Sequence, residues 1–376
     1  MAFLIFSICF IGLLYAHFFV AHMAWSRTRG KNSQELDMDY VRIEDYFGQS
    51  FRRKLGKWLT APSAENSTDE LRVVNHGVEK LYVAADAVQY PSNRRERNVL
   101  VTEKDFDCGA DCSFERELMV HGNGVVGSGS KMQAIAADGA LRLNQNVVVR
   151  RWVDAKGPLE LMDGCKVFSR VCSASSIYLG PQAEVLSVYA PEVFTESRVA
   201  TMAGPLVNPR DVVLIPHAAN MGNRVFHGYN PNLLFSMGGG SYLYNGDLNL
   251  TAPLHIRSPL VVKGNIKTLG ASMIEADLKA TGSIEIGEMS LIKGNLIAEK
   301  NMEIGSGTFF QSVLHAGGEM RLKHGVRGLG DVPVVAFAGG TLTVESNVVV
   351  RGKLASGEKV TAVSAPLAWL KNSGDQ

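Results

Sequence analysis

Between Ile266 and Leu322 an apolar side chain returns every 18 residues. Ile266, Ile284, Met302 and Met320 form one series. Leu260, Leu278, Leu296 and Leu314 form a second, and Met273, Leu291 and Phe309 keep the same interval. A finer period of six runs through Leu141, Val147, Val153, Leu159, Cys165, Val171 and Ile177. A second apolar position follows two residues later, at Leu143, Val149, Leu161, Val167 and Leu179, with Arg142, Asp154, Glu160 and Lys166 as the polar residues between. Alternation with period two marks a strand with one buried face. Each strand is only about three residues long before Gly, Asn, Ser or Asp turns the chain. A strand so short has no stability alone, but three per coil, stacked coil on coil, pair above and below and bury one apolar column. The pattern therefore predicts an all-β fold, a parallel β-helix of triangular section with 18 residues per coil. Its expected core ladder is Leu141, Val147, Leu159 and Ile177 in a first block. In a second block it is Leu260, Ile266, Leu278, Ile284, Leu296, Met302, Leu314 and Met320.

The same patterning divides the chain. Residues 2–25 carry no Asp, Glu, Lys or Arg. As a helix they would extend ~36 Å, enough to cross a hydrocarbon core of ~30 Å. Residues 1–25 are thus expected to form a single transmembrane helix. Arg27, Arg29 and Lys31 follow it, which places the body in the cytoplasm by the positive-inside bias. Residues 26–70 form a tether. Within it Ile43, Phe47, Phe51, Leu55, Trp58 and Leu59 share one helix face. Arg52, Arg53, Lys54 and Lys57 cluster at the end of that helix, as a basic amphipathic helix lying on an anionic leaflet would have them. The other reading of this helix is a cap packed on the body, and Gly48 and Gly56 weaken it under either. Residues 71–190 hold the first block, with 71–88 a strand pair leading in, 91–98 (PSNRRERN) a charged exposed turn, and the repeat starting near Val99. Residues 191–241 lose the rhythm and read as an irregular insertion. Residues 242–364 hold the second block, interrupted by an irregular piece at 323–339, and 365–376 are a tail whose Trp369 is expected over the column end. About eleven or twelve coils at ~4.8 Å each make a rod roughly 55 Å long.

Composition changes this picture little. A formal charge of +1 over 376 residues gives no global field for nucleic acid. Five cysteines, an odd number, suit a reducing compartment. Cys108 and Cys112 lack a second Cys or His pair for zinc, and Cys112 and Cys165 fall on inward positions. Gly122, Gly124 and Gly127 match G-x-G-x-x-G, but no helix pattern follows, so they read as turn glycines. No metal, cofactor or catalytic residue is assigned. In the insertion, Phe226, Tyr229 and Phe235 are the candidate partner-site residues, among aromatics that include Phe194, Tyr242 and Tyr244.

Hexapeptide repeats with an 18-residue coil also occur in β-helix acyltransferases. The second repeat position here holds Arg142, Lys166, Lys267, Lys279, Glu285 and Glu303, and the inward pair is first and third, unlike that group. The segment LKATGSIEIGEMSLIKGNLIAEKNMEIG resembles the core of the bactofilin family of polymer-forming bacterial cytoskeletal proteins. That resemblance is specific over 254–322 and extends over 99–190 and 340–364. It implies a right-handed β-helix that joins end to end into nucleotide-free filaments near the membrane and gathers envelope or polysaccharide-synthesis proteins. The membrane span, the two blocks and the insertion depart from the usual small member. The leading expectation is therefore a non-enzymatic scaffold at the bacterial inner membrane, self-associating through its β-helix ends. A monomeric anchored adaptor that binds a partner enzyme through 191–241 is the alternative, and an acyltransferase the third reading.

Overall fold

The computed structural model describes residues 43–59, 67–68, 71–76, 79–195, 213–215 and 227–364. The expected span at 1–25, Phe226 and the tail with Trp369 lie outside these residues. Among the described residues no helix is long and apolar enough to cross a membrane. From Phe47 onward the chain forms one compact unit.

Its core is a β-solenoid of about 14 turns, built as two blocks. The alternation becomes geometry directly. In Leu141–Leu143, Leu159–Leu161, Leu260–Val262, Ile284–Ile286 and Met302–Ile304 the first and third residues are buried and the middle one is not. Every member of the expected ladder is at most 1% exposed. Parallel pairing is in register at the repeat interval: Leu260 lies on Leu278, Leu278 on Leu296, and Ile284 on Met302. Side chains knit the corners as well. Asn265 N donates to Asp247 Oδ1 at 2.6 Å, Ser283 N to Asn265 Oδ1 at 2.9 Å, and Glu319 N to Asn301 Oδ1 at 2.9 Å. These bonds explain the Asn, Asp and Ser residues at the turns.

One series lies elsewhere than its interval suggests. Met273, Leu291 and Phe309 are only partly buried, while their neighbours Ile274, Ile292 and Phe310 fill the column at 0% exposure. The first repeat position of that strand holds Ser272, Ser290 and Thr308, all fully buried. Their hydroxyls are satisfied by the adjoining coil: Leu254 N donates to Ser272 Oγ at 2.9 Å and Ser272 N to Ser290 Oγ at 3.1 Å. The coils begin before Val99, within and just after the expected leading strand pair, and the piece expected to be irregular coils as well. Glu79–Ala84 and Val88–Tyr90 already pair with the next turn, and 323–339 contains Arg327–Gly328 and Val334–Ala338 in register with their neighbours, with exposed Val332 on a bulge between them. This accounts for the excess over eleven or twelve coils.

The blocks meet end to end through their last strands. Glu184–Phe194, which closes the first block, pairs antiparallel with Val349–Ala362, which closes the second. Val188 faces Leu354, Val185 faces Val360, and Val193 faces Val350. All six are at most 2% exposed. Three sheets, the first through 187–190, the second through 193–194 and the third through 184–185, therefore pass through the joint without a break. The first block visits them in the order first, second, third, and the second block in the order first, third, second. Reversed circulation along a reversed axis means that both blocks wind with the same hand.

The joint also explains residues 191–241. The first block's last strand runs on to Phe194, and Thr195 is held at the joint by Thr195 N to Val348 O at 3.0 Å and Thr195 Oγ1 to Glu345 O at 2.7 Å. The chain next pairs at Val213–Ile215 on Leu254–Ile256, at the opposite end of the second block. Thr195 and Val213–Ile215 thus lie at opposite ends of the second block, a separation that a short turn does not span. Its last part, Leu234–Gly238, forms an antiparallel hairpin with Ser241–Tyr244.

Candidate functional site

Three places depart from the plain repeat: one flank and the two outer ends. The flank carries helix α1 (Tyr46–Leu59). Its apolar spacing gives one buried face, Phe51, Leu55 and Trp58, and Lys57 lies favourably in the last turn. That face packs on the outside of the first sheet, against Val83, Val101, Met119, Ala134, Ala136 and Trp152. Phe51 and Trp152 have ring centroids 5.6 Å apart. Here the sheet is buried on both sides, and the sequence carries the signal in runs that do not alternate, such as Val99–Thr102 and 134–137.

An ion cluster fixes the helix in place. Arg52 donates from Nε to Asp138 Oδ1 at 3.0 Å, from Nη2 to Ala137 O at 2.8 Å, and from Nη1 to the largely buried Asp154. Asp138 also meets His121 Nδ1 and Lys156 Nζ, each at 2.8 Å. Burial alone pushes the Asp138 carboxyl up, but Lys156, His121 and Arg52 together outweigh it and hold it below the usual carboxylate value. A side chain at position 48 would run into the Asp154 carboxylate, so Gly48 is a point of close approach and not a flaw in the helix. Of the four expected lipid-facing cations, Arg52 is turned into this cluster. Arg53, Lys54 and Lys57 are exposed, with Lys54 Nζ 4.0 Å from the Trp58 ring centroid. The apolar face that a lipid surface would need is covered by the solenoid.

Both outer ends are plugged by aromatic rings. At the first block's end Phe114 lies 5.5 Å from Tyr90 and 5.7 Å from Phe106, centroid to centroid. Tyr90 donates to Glu96 Oε2 at 2.8 Å, and burial together with this carboxylate raises its phenol far above the ordinary value. The hairpin of Leu71–His76 and Glu79–Ala84 covers the first sheet there. Among the described residues, no strand covers the outer edges of Val88–Tyr90 and Arg95–Glu96. At the second block's end Tyr229 stacks on Tyr244 with centroids 5.9 Å apart, and both are 1% exposed. Burial pushes the Tyr229 phenol up to about 12. Tyr229 is thus a core plug and not a partner contact. Phe235 is half exposed on the hairpin, beside Met237, and remains on the surface. The hairpin, Val213–Ile215 and the turn at His227–Gly228, where His227 O accepts from Thr251 N at 3.0 Å, cover all three sheets at this end.

The remaining chemistry-bearing residues are structural in their surroundings. Cys108, Cys112, Cys165 and Cys172 are buried and in no disulfide, and burial pushes Cys108 up to about 12 and Cys165 up to about 11. His255 meets Glu275 at 3.1 Å, and His315 stacks on Phe337. Among the described residues no group of three His, Cys, Asp or Glu side chains is placed to hold a metal ion. Gly122, Gly124 and Gly127 lie on or beside the short strand Gly124–Val126 of the coil, and no helix follows them. No known protein family, curated protein or solved structure matches the chain.

Proposed function

We propose that the protein is a non-catalytic scaffold of fixed length, tethered to the bacterial inner membrane by its N-terminal segment, that displays the flanks of a closed β-solenoid to partner proteins. The observation that carries this reading is the joint between Glu184–Phe194 and Val349–Ala362. A solenoid assembles by offering the strand edges at its ends. Here both C-terminal edges are consumed inside one chain, and the second block's other end is covered. Among the described residues, Val88–Tyr90 and Arg95–Glu96 at the first block's end have no strand over them, and at the far end the outer edges of Val213–Ile215 and Leu234–Gly238 are unpaired. The far end is finished by an antiparallel hairpin out of step with the parallel repeat, so association through the first block's end is expected to stop at a two-fold dimer, because a filament needs two matching ends.

A bactofilin-like filament is the second reading. It is favoured by the joint itself, in which ends of this fold do pair, and by the exposed strand Leu234–Gly238. Sedimentation velocity on the full chain in detergent separates the two, with negative-stain microscopy of the same sample. The scaffold of fixed length predicts monomers or dimers that do not grow with concentration. Filaments that lengthen with concentration would overturn it in favour of the second reading.

A further inference from the structure

Several outward cations on the column are answered by acids one coil away. Lys267 meets Glu285 at 2.8 Å, Lys293 meets Glu275 at 3.3 Å, and Lys166 meets Glu184 at 3.2 Å. Toward the outer end of the first block's third sheet two cations lack such a partner. Lys131 lies in register between Ser113 on one side and Val148 on the other, so neither adjacent coil supplies an acid. Arg150, two residues beyond Val148, is likewise exposed, and among the described residues neither Lys131 nor Arg150 has an ion-pair partner. The two cations line a groove of about 700 Å³ together with Arg95, Ser113 and Gln133. Its acidic residues are Asp111 and Glu115, and Glu115 is held by Arg95. Arg94, Arg97 and Arg116, all exposed, flank the lining residues in sequence and add positive charge at the rim.

We propose that this groove binds a phosphate-bearing anion, with Lys131, Arg150 and Arg95 supplying charge and Ser113 and Gln133 supplying neutral hydrogen bonds. The register sets the geometry. Arg95 and Lys131 both neighbour Ser113, one on each side, so they stand two strand spacings apart, ~9.6 Å. Two long cationic side chains at that separation can reach the serine hydroxyl from opposite sides once an anion draws Arg95 from Glu115, a fit for one tetrahedral anion group. The guanidinium forks of Arg95 and Arg150 suit phosphate oxygens, and the Lys131 ammonium acts as a compact point charge. The hollow form favours a headgroup or a soluble phosphate over a flat polymer face. The site also absorbs the RRERN turn, which the scaffold reading leaves unused.

The test uses the full chain in nonionic detergent, with tripolyphosphate as the soluble probe and micelles doped with phosphatidylglycerol as the lipid probe. Saturable calorimetric binding of tripolyphosphate supports the site with a soluble source. Binding to doped micelles that tripolyphosphate displaces supports it with a headgroup source. In either case the double variant Lys131→Glu and Arg150→Glu lowers affinity by about tenfold or more, since charge-assisted contacts are lost. The control Lys300→Glu, an exposed cation on the second block, leaves affinity unchanged. Both variants replace exposed residues, and an unaltered melting temperature shows that the fold is kept. Absence of binding to both probes overturns the proposal, as does binding that survives in the double variant. Sedimentation is untouched by these outcomes, so failure here leaves the scaffold reading standing.

Discussion

Ile284 and Glu285 are adjacent and have opposite surroundings. Ile284 is 1% exposed in the column, whereas Glu285 meets Lys267 in solvent. Ile284→Lys leaves an unpaired ammonium in an apolar interior and is expected to cost several kcal/mol. Glu285→Lys loses a surface pair and should cost under about 1 kcal/mol. Denaturant melts of the two variants check this, and equal losses would contradict the alternation. The first-and-third pattern was legible at this scale because it recurs wherever the column is aliphatic. It misled at Met273, Leu291 and Phe309, which have the right interval and the wrong phase. Buried Ser272, Ser290 and Thr308 occupy the inward position there, and a hydroxyl in a dry column looks like a surface residue until its bond to the next coil is seen.

Helix α1 shows what amphipathicity leaves open at the scale of an element. A stripe of Phe51, Leu55 and Trp58 states that one face is apolar, but not whether lipid or protein covers it. The answer lay in the target, where strands such as Val99–Thr102 are buried on both faces. The two glycines of the helix give a test with opposite signs. Alanine is the better helix former by ~1 kcal/mol. Gly56→Ala, where an added methyl meets nothing, is expected to stabilise by up to that amount. Gly48→Ala pushes into Asp154 and should destabilise and loosen the Arg52 cluster, despite the higher propensity. Protease cleavage rates within the helix, read alongside melts, distinguish the two.

The joint governs the whole molecule, and nothing in the repeat announces it, since pairing of two terminal strands leaves no period in the sequence. Val188→Asp would bury a carboxylate against Leu354. Calorimetry is expected to resolve two melting transitions in this variant, one for each block, in place of a single one; a lone transition shifted downward would mean that the blocks melt together without the joint. Acid should act at the same place. Glu184 is held below its ordinary value of 4.5, chiefly by the hydrogen bond from Lys359 across the joint, with Lys166 adding to it. A depressed carboxylate contributes stability above its unfolded value and loses it as pH falls through the folded one. The joint should therefore weaken below pH 4.5 by the modest amount of a surface pair, up to about 1 kcal/mol, and Lys359→Ala should remove most of that dependence.

That antiparallel seam also sets a timetable for synthesis. Glu184–Phe194 leaves the ribosome long before Val349–Ala362 exists to lie against it, so a nascent chain carries an uncovered edge through most of its elongation. A product truncated shortly before Val349 would be nearly full length and yet bare at two edges at once, which makes late termination a greater aggregation hazard than its small loss of mass suggests.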